Sequence, residues 1–310
     1  MTGSSEVVVS LPDAAMVRRL SPAPAGVRFI EWDMLSPIPQ PRPDLVVLPY
    51  MRQADRLAAL AGLPGVIAQS QSLGYDGVAD ALPGGVTYCN AVGVHEASTA
   101  ELALALVLAA QRGIPEFARA QPEHRWLPGT FPGLAGRSVL LVGTGGVGHE
   151  IESHLVPFDV ELTRVARTAR DGVHSTSELP ELLPHADIVI VVVPLNTETT
   201  GLVDAAFLGS MRDGALLVNV GRGPLVDTDA LLAELVAGRL RAALDVTDPE
   251  PLPAAHPLWD APGLLISPHV GGNTAAMAPR MDRLIREQIA RLLDGRPPLN
   301  VVLPAERAAG

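Results

Sequence analysis

The stretch SVLLVGTGGVG, which begins at Ser138, constrains the fold of this chain more than any other. Its apolar run predicts a buried strand, and the glycines that follow fit the pattern G-x-G-x-x-G. Gly143 would allow a tight turn out of the strand, Gly145 would let a pyrophosphate approach the backbone, and Gly148 would let the next helix pack close to the sheet. The predicted contacts of this turn with a dinucleotide, at the N-terminus of that helix, are Gly143, Gly145, Gly146, Val147 and Gly148.

Beyond this turn, apolar runs of strand length alternate with helical patterns. The predicted strands are 139–142, 160–166, 187–193, 215–220, 241–246 and 263–267. The predicted helices are 146–156, 177–183, 204–210, 228–237 and 274–293. Gly238 stands where the glycine that ends a helix belongs. Six parallel strands with helices between them predict a doubly wound Rossmann sheet.

The first third of the chain has the same alternation on a smaller scale. Its predicted strands are 7–9, 27–30, 45–48, 66–68 and 86–88, with helices at 14–20 and 56–61. A capping box at 98–101, STAE, is predicted to open an apolar helix, and an arm or loop is expected at 115–132. We therefore expect a two-domain α/β protein with a dinucleotide-binding domain at 97–272. Residues 1–96 and 273–310 would form a smaller, flavodoxin-like substrate-binding domain.

Composition excludes several classes of function. The 310 residues carry a formal net charge of −11, which argues against a nucleic-acid partner. Cys89 is the one cysteine, so no disulfide can form within the chain, and its strand-like surroundings predict a buried, inert thiol. No apolar run approaches the length of a membrane span and no signal peptide is evident, so a cytoplasmic protein with no membrane partner is expected. The spacing of histidine and cysteine predicts no metal site.

Three later segments carry a resemblance to a known family. They are NVGRG at 219–223, DVTDPEP at 245–251 and SPHVGG at 267–272, each after a predicted strand. Further matching segments are QSLGYDGV at 71–78, NAVGV at 90–94, VPLNTET at 193–199 and HPLW at 256–259. With the glycine turn, these segments resemble the D-isomer-specific 2-hydroxyacid dehydrogenases. The resemblance implies hydride transfer between a nicotinamide dinucleotide and a small 2-oxo or 2-hydroxy acid, in a homodimer.

Within that resemblance, three residues are the candidate catalytic groups. Arg222 follows a strand, and a planar guanidinium can hold a 2-oxo acid through its carboxylate and ketone oxygens. His269 would protonate the carbonyl oxygen during reduction and act as base during oxidation, since histidine exchanges protons near neutral pH. Glu250 would accept a hydrogen bond from the other ring nitrogen, which orients the imidazole and keeps it protonated.

The resemblance also implies binding residues. Leu73 and Gly74 match the loop whose backbone N–H groups hold the substrate carboxylate, beside Arg222 and His269. The further cofactor-binding residues it implies are Pro194, Thr199, Val220, Asp245 and Gly271, with Asp245 near the nicotinamide carboxamide. His95 is expected to be a structural residue, and the alternative is that it faces the substrate cleft. Arg52 is expected either to favour an anionic substrate tail or to be a surface residue.

The end of the second Rossmann strand departs from the commonest pattern of the family. NAD-dependent members carry an acidic residue there, which binds the ribose 2′-hydroxyl. Ala166 takes that position here, and Arg167 and Thr168 can bind a 2′-phosphate instead, with Arg170 as an assisting residue. The pattern resembles the NADP-preferring glyoxylate/hydroxypyruvate reductases, so NADP(H) is the preferred cofactor and NAD(H) remains possible.

Two other functions stay open at this stage. A nucleotide-sensing binding protein, like the C-terminal-binding-protein corepressors, would keep the same three candidate catalytic residues. A phosphite- or formate-oxidising relative is less favoured, because such proteins use other polar or basic residues where Leu73 stands.

Overall fold

The computed structural model describes residues 6–51 and 54–305, so Arg52 lies outside the described residues. The chain divides into two compact units. Unit 1 comprises Met1–His95 and Ala275–Gly310, and unit 2 comprises Glu96–Thr274.

The elements follow one another along the chain as α/β alternation predicts. The strands are β1 (Val7–Leu11), β2 (Val27–Glu31), β3 (Leu45–Val47), β4 (Ile67–Gln69), β5 (Thr87–Cys89), β6 (Ser138–Val142), β7 (Glu161–Ala166), β8 (His174–Ser175), β9 (Ile188–Val191), β10 (Leu216–Asn219), β11 (Arg241–Leu244), β12 (Leu264–Ile266) and β13 (Val301–Leu303). The α-helices are α1 (Ala14–Leu20), α2 (Val78–Ala81), α3 (Glu96–Arg112), α4 (Ile114–Ala120), α5 (Gly146–Leu155), α6 (Leu179–Leu182), α7 (Ala205–Ser210), α8 (Thr228–Val236) and α9 (Met277–Leu293). The segment Ala54–Gly62 forms a 3-10 helix.

Unit 2 contains a seven-stranded parallel sheet in the order β12-β11-β10-β9-β6-β7-β8. The strand order reverses where β6 lies beside β9, with Val139 opposite Ile188. Open α/β sheets bind their ligands at such a switch point, and the glycine turn follows β6 there. The predicted doubly wound sheet is confirmed, with β8 as a seventh strand. That strand has two residues, His174 and Ser175, and neither contributes to an apolar pattern.

Both faces of this sheet are covered, which explains its continuous apolar strands. Leu140 and Val142 point into the core cluster that also contains Phe207 of α7. Val139 and Leu141 point into the opposite cluster. The second cluster includes residues of α3 and α5: Ala103, Leu106, Val107, Ile151 and Leu155.

Unit 1 has a sheet in the order β13-β5-β4-β3-β1-β2. Strands β1 to β5 are parallel in the flavodoxin-like order, and β13 pairs with β5 in the antiparallel direction. The predicted two-domain α/β class is therefore confirmed. Cys89 is buried at the end of β5, and burial raises the pKa of its thiol to about 11, so the thiolate is scarce at neutral pH.

Three sequence predictions differ from the structure. α3 begins at Glu96 rather than after Ser98, so the predicted capping box is wrong. Ser98 is the third residue of α3, and its hydroxyl bonds to the Thr274 hydroxyl at 2.9 Å. The predicted arm at 115–132 begins with a helix, α4. Gly113, at φ 66°, separates this helix from the end of α3. The predicted helix 177–183 is a short α6 flanked by 3-10 turns, since two prolines interrupt it.

Across the part of the chain that the structure describes, no helix is long and apolar enough to cross a membrane. Nor do His, Cys, Asp and Glu side chains there form a group of three or more that could hold a metal ion.

Gly148 provides a stability prediction with a matched control in the same turn. A Cβ at Gly148 would collide with the carbonyl oxygen of Gly143, whereas a Cβ at Gly145 would meet nothing within 4 Å and Gly145 has an ordinary φ of −75°. Gly148→Ala should lower the unfolding free energy by about 1–3 kcal/mol through overpacking. Gly145→Ala should leave it unchanged.

Thermal unfolding followed by circular dichroism, without ligand, checks both variants. Equal melting temperatures for Gly148→Ala and the wild type would contradict the close helix–strand packing.

Candidate active site

The candidate site residues of unit 2 follow the carboxyl ends of its parallel strands. Gly143 follows β6, Asp245 follows β11, and His269 lies three residues after β12. Pro194 and Arg222 each lie three residues after a neighbouring strand, β9 or β10. Because carboxyl ends of parallel strands meet at one edge, the fold gathers these residues where open α/β sheets bind ligands.

The glycine turn has the geometry that a pyrophosphate needs. Gly143 has φ 117°, a conformation that L side chains rarely adopt, and its N–H donates to the carbonyl of Val165 at 2.9 Å. The backbone at Gly145 is open, and α5 begins one residue later, so N–H groups of the first turn of the helix point to the edge of the sheet. This arrangement suits a phosphate anion.

The segment after β7 brings arginine to the glycine turn. Arg170 Nη2 donates to Thr144 Oγ1 at 2.6 Å, which links this segment to the turn. Arg167 Nη1 lies 3.6 Å from Glu198 Oε2, with both side chains mostly exposed. Thr168 is exposed between the two arginines, and Ala166 ends the strand without a carboxylate. The side chains predicted to hold a 2′-phosphate are thus polar and exposed, and that of Arg170 is bonded to the turn.

The turn after β9 is held by its own side chains. Thr199 Oγ1 donates to the carbonyl of Pro194 at 2.7 Å. The Asn196 side-chain oxygen accepts from the N–H groups of Glu198 and Thr199 at 2.8 and 3.1 Å. Two predicted cofactor-binding residues, Pro194 and Thr199, therefore belong to one rigid turn.

The Arg222 loop is fixed by a residue to which sequence reasoning gave no role. Asn219, fully buried at the end of β10, accepts from Gly221 N–H at 3.0 Å and donates to the Arg222 carbonyl at 2.8 Å. Gly223 adds a steric constraint, because a Cβ there would collide with the carbonyl of Thr247. The Arg222 guanidinium is half-buried, and its Nη1 donates to the Gly221 carbonyl at 2.7 Å. The signal in the sequence was a polar asparagine at the end of an otherwise apolar strand.

His269 and Glu250, nineteen residues apart, form a hydrogen-bonded pair. His269 Nδ1 lies 2.5 Å from Glu250 Oε1, and the two side chains are 31% and 37% exposed. With Nδ1 facing the carboxylate, Nε2 is the ring nitrogen that a substrate can reach. This is the arrangement of a proton-transferring histidine with an orienting carboxylate.

The backbone of the His269 loop depends on Asp245, which is 2% exposed. Asp245 Oδ1 accepts from Ser267 Oγ at 2.6 Å and from Val270 N–H at 2.9 Å, while Oδ2 accepts from Gly271 N–H at 2.9 Å. The Asp245 carbonyl accepts from His269 N–H at 2.7 Å. These bonds hold His269 at φ 52°, an unusual conformation for a residue other than glycine. The family resemblance suggested a contact of Asp245 with a nicotinamide. It did not indicate these three side-chain bonds, which we call the Asp245 clamp, nor the part of Ser267 in them.

Val220, another predicted cofactor-binding residue, is buried directly after β10, where its N–H donates to the Val191 carbonyl at 3.2 Å. Its backbone therefore ties the Arg222 loop to the neighbouring strand.

In unit 1, the Leu73–Gly74 turn follows β4. Asn90 Nδ2 donates to the Leu73 carbonyl at 2.9 Å, so a buried asparagine positions this turn as well. His95 is 4% exposed, its Nε2 bonds to the Gln71 carbonyl at 2.6 Å, and its ring stacks on Tyr50 with centroids 5.8 Å apart. Its contacts within unit 1 are those of a structural histidine.

The chain is similar to proteins of one family. The family model described as D-isomer specific 2-hydroxyacid dehydrogenase, NAD binding domain, matches residues 104–271. Glyoxylate reductase from Thermofilum pendens is 33% identical over 75% of this chain and 73% of its own length. D-3-phosphoglycerate dehydrogenase from Mycobacterium tuberculosis is 32% identical over 93% of this chain, which spans 58% of that relative's length.

A solved structure extends the similarity to nearly the whole chain. The D-isomer specific 2-hydroxyacid dehydrogenase from Xanthobacter autotrophicus Py2, in complex with NADPH and MES, is 28% identical. The match covers 97% of this chain and 99% of that one, with a TM-score of 0.77.

The Asp245 clamp can be tested without any assumption about the reaction. Asp245→Asn replaces one acceptor oxygen by an NH2 group, so at least one loop N–H is left facing a donor. Amide hydrogen exchange of the peptide that contains Val270 and Gly271 should rise about tenfold or more. Ser267→Ala removes one of the three bonds and should have a smaller effect.

Mass spectrometry of the exchanged peptides gives the measurement. Exchange as slow in Asp245→Asn as in the wild type would show that the carboxylate does not hold the loop.

Proposed function

The chain belongs to the D-isomer-specific 2-hydroxyacid dehydrogenase family, and on that premise we propose that it transfers a hydride between a nicotinamide dinucleotide and C2 of a small 2-oxo or 2-hydroxy acid. The observation that carries this proposal is the 2.5 Å pair of His269 and Glu250, at the same sheet edge as Arg222 and the glycine turn. A proton donor, a cationic anchor and a dinucleotide turn are the three parts that such a reduction needs.

The described residues fit a bound dinucleotide. Glycine at 148 lets α5 approach the sheet, and the open backbone at Gly145 leaves room for the pyrophosphate. The bound cofactor supplies the hydride. The Asp245 carboxylate is committed to the loop at 267–271, so a contact with the carboxamide would add to that role.

In the reduction direction, Arg222 binds the substrate carboxylate and carbonyl oxygen with parallel N–H groups, which fixes C2 for attack. The Leu73–Gly74 turn is the predicted second contact of the substrate carboxylate. His269 donates its Nε2 proton to the carbonyl oxygen as C2 receives the hydride. Glu250 stabilises the protonated imidazole and keeps its orientation. The 2-oxo acid thus gains one hydride and one proton and becomes a 2-hydroxy acid.

NADP(H) is the preferred cofactor in this proposal, with NAD(H) as a weaker alternative. Support comes from the arginine-rich segment after β7, where Arg170 reaches the glycine turn and the strand ends in Ala166 rather than in an acidic residue. The NADPH complex of the Xanthobacter relative agrees with this choice.

Glyoxylate and hydroxypyruvate are the first candidate substrates. The name of the Thermofilum relative supports glyoxylate, and the proposed contacts are confined to the carboxylate and carbonyl that all 2-oxo acids share. A screen of glyoxylate, hydroxypyruvate, pyruvate and longer 2-oxo acids with NADPH and NADH tests the proposal. Tight NADPH binding without turnover on the whole panel would favour a nucleotide-sensing protein.

A homodimer is also part of this proposal. Apolar side chains are exposed on α4 and on the segment after it: Ile114, Phe117, Trp126 and Leu127. Trp126 is 94% exposed, which is unusual for so large an apolar ring. A second copy of the chain would cover these side chains.

Replacement of the two candidate catalytic side chains should affect different kinetic constants. Arg222→Ala should raise KM for the 2-oxo acid by about a hundredfold, because it removes a bidentate charged contact. His269→Asn should lower kcat by about a thousandfold, because it removes the proton donor. Steady-state kinetics with NADPH measure both effects.

His185→Asn and Arg296→Ala, at exposed positions, are the controls and should leave both constants unchanged. Turnover of the wild type together with wild-type kinetics in Arg222→Ala and His269→Asn would exclude the assigned roles.

Cofactor choice gives a prediction with an internal control. Arg170→Gln should raise KM for NADPH about tenfold, because it removes a charged contact with the 2′-phosphate. KM for NADH should change little, since NADH lacks that phosphate. Parallel titrations of each variant with the two cofactors provide the comparison, and an equal change in both values would refute a 2′-phosphate contact.

A further inference from the structure

Unit 2 has a polar cavity at the amino edge of its sheet, opposite the edge that carries the glycine turn. The cavity has a volume of about 530 Å³. Its wall includes residues just before or at the start of four strands: Arg137 before β6, Asp187 before β9, residues 212–215 before β10, and Arg241 at the start of β11. Residues 130–132, which lead back to β6, and the end of α3 at Gln111 close the other side.

One carboxylate in this wall serves two arginines. Asp187 Oδ1 accepts from Arg212 Nη1 at 2.9 Å and lies 3.5 Å from Arg137 Nη1. Asp187 Oδ2 accepts from the N–H of Ser138 at 3.1 Å. A single negative charge therefore offsets only part of two guanidinium charges.

The third arginine, Arg241, is held by neutral oxygens. Its Nη2 donates to Gln111 Oε1 at 2.7 Å, its Nη1 donates to the Ala110 carbonyl at 3.2 Å, and Nε and Nη2 donate to the Gly214 carbonyl. Among the described residues, no carboxylate lies within ion-pair distance of this guanidinium. Burial lowers the pKa of Arg241, and the nearby charge of Arg137 lowers it further, against a smaller opposing effect of Glu116.

The remaining carboxylate in the wall does not restore the balance. Asp213 is 87% exposed, and it lies 3.5 Å from Arg239, a fourth arginine that also pairs with Glu234. The cavity therefore has a local excess of positive charge in a chain whose formal net charge is −11. Partly buried cations without a counter-ion are unfavourable, and an anion in the cavity would remove that cost.

We propose that this cavity binds a small divalent oxyanion of the phosphate or sulfate class, held by the guanidinium groups of Arg137, Arg212 and Arg241. Planar guanidinium groups donate paired N–H groups to such anions and give up their hydration more readily than ammonium groups. The site is separate from the dinucleotide turn, which lies at the other end of the strands, and it does not depend on the proposed reaction.

Isothermal titration of the full chain with sodium phosphate and with sodium sulfate, at constant ionic strength in sodium chloride, tests the site. The wild type should bind either anion saturably. Arg241→Gln and Arg212→Gln should each weaken binding by about tenfold or more, since each removes a charged hydrogen-bond donor. Arg212 is 50% exposed, so its variant keeps the test valid if Arg241→Gln fails to fold.

Arg28→Gln is the matched control, because it removes one positive charge from an exposed position of β2 in unit 1. It should bind as the wild type does. Absence of saturable binding to the wild type would overturn the proposal. Binding that survives Arg212→Gln and Arg241→Gln but is lost in Arg170→Gln would place the anion at the glycine turn and would also overturn it.

Sedimentation velocity provides the last check. If the wild type binds no phosphate, while Arg212→Gln and Arg241→Gln reduce its self-association, the arginines serve a contact between copies and the anion site does not exist.

Discussion

The close approach of α5 to β6 is the constraint on which the dinucleotide-binding side of unit 2 depends. A Cβ at Gly148 would collide with the carbonyl of Gly143. The helix can therefore start this near the strand only because residue 148 is glycine. The same approach aims the first N–H groups of α5 at the edge of the sheet, where β6 and β9 diverge. The reach of Arg170 to Thr144 follows from that placement, because β7 ends beside the glycine turn.

A second set of constraints positions the chemistry, and it consists of buried polar side chains at strand ends. Asn219 fixes the backbone on both sides of Arg222, Asp245 fixes the loop of His269, and Asn90 fixes the Leu73 carbonyl. None of these three side chains needs to touch a substrate to matter. A buried side chain that bonds to the N–H or carbonyl groups of a loop turns a flexible connection into a rigid support, and the proposed hydride transfer requires such rigid supports.

The two edges of the unit 2 sheet differ in how their charged side chains are paired. At the carboxyl edge, His269 has a carboxylate partner and Arg167 has Glu198 nearby. At the amino edge, Arg137 and Arg212 share Asp187, and Arg241 is bonded to carbonyl and amide oxygens. The chain has 23 arginines and no lysine, so residue type does not distinguish the arginines of the amino edge from the others. The starting points of β6, β9, β10 and β11 created the cluster, because they bring residues from 137 to 241 to one edge.

The sequence by itself determined the two-domain α/β class, the parallel order of the main strands, the glycine turn and the identity of Arg222, Glu250 and His269 as candidates. Those features depend on local patterns, namely apolar periodicity and glycine spacing, together with motifs that stand close together in the chain. The tertiary structure alone decided the seventh strand, the start of α3 at Glu96, the clamp of Asp245 on Ser267 and Gly271, and the arginine cavity. The Asp245 clamp and the arginine cavity require residues more than twenty positions apart to meet, and the strand register and loop course that bring them together are not specified by any local pattern. The seventh strand has only two residues, which is too short for a recognisable apolar pattern.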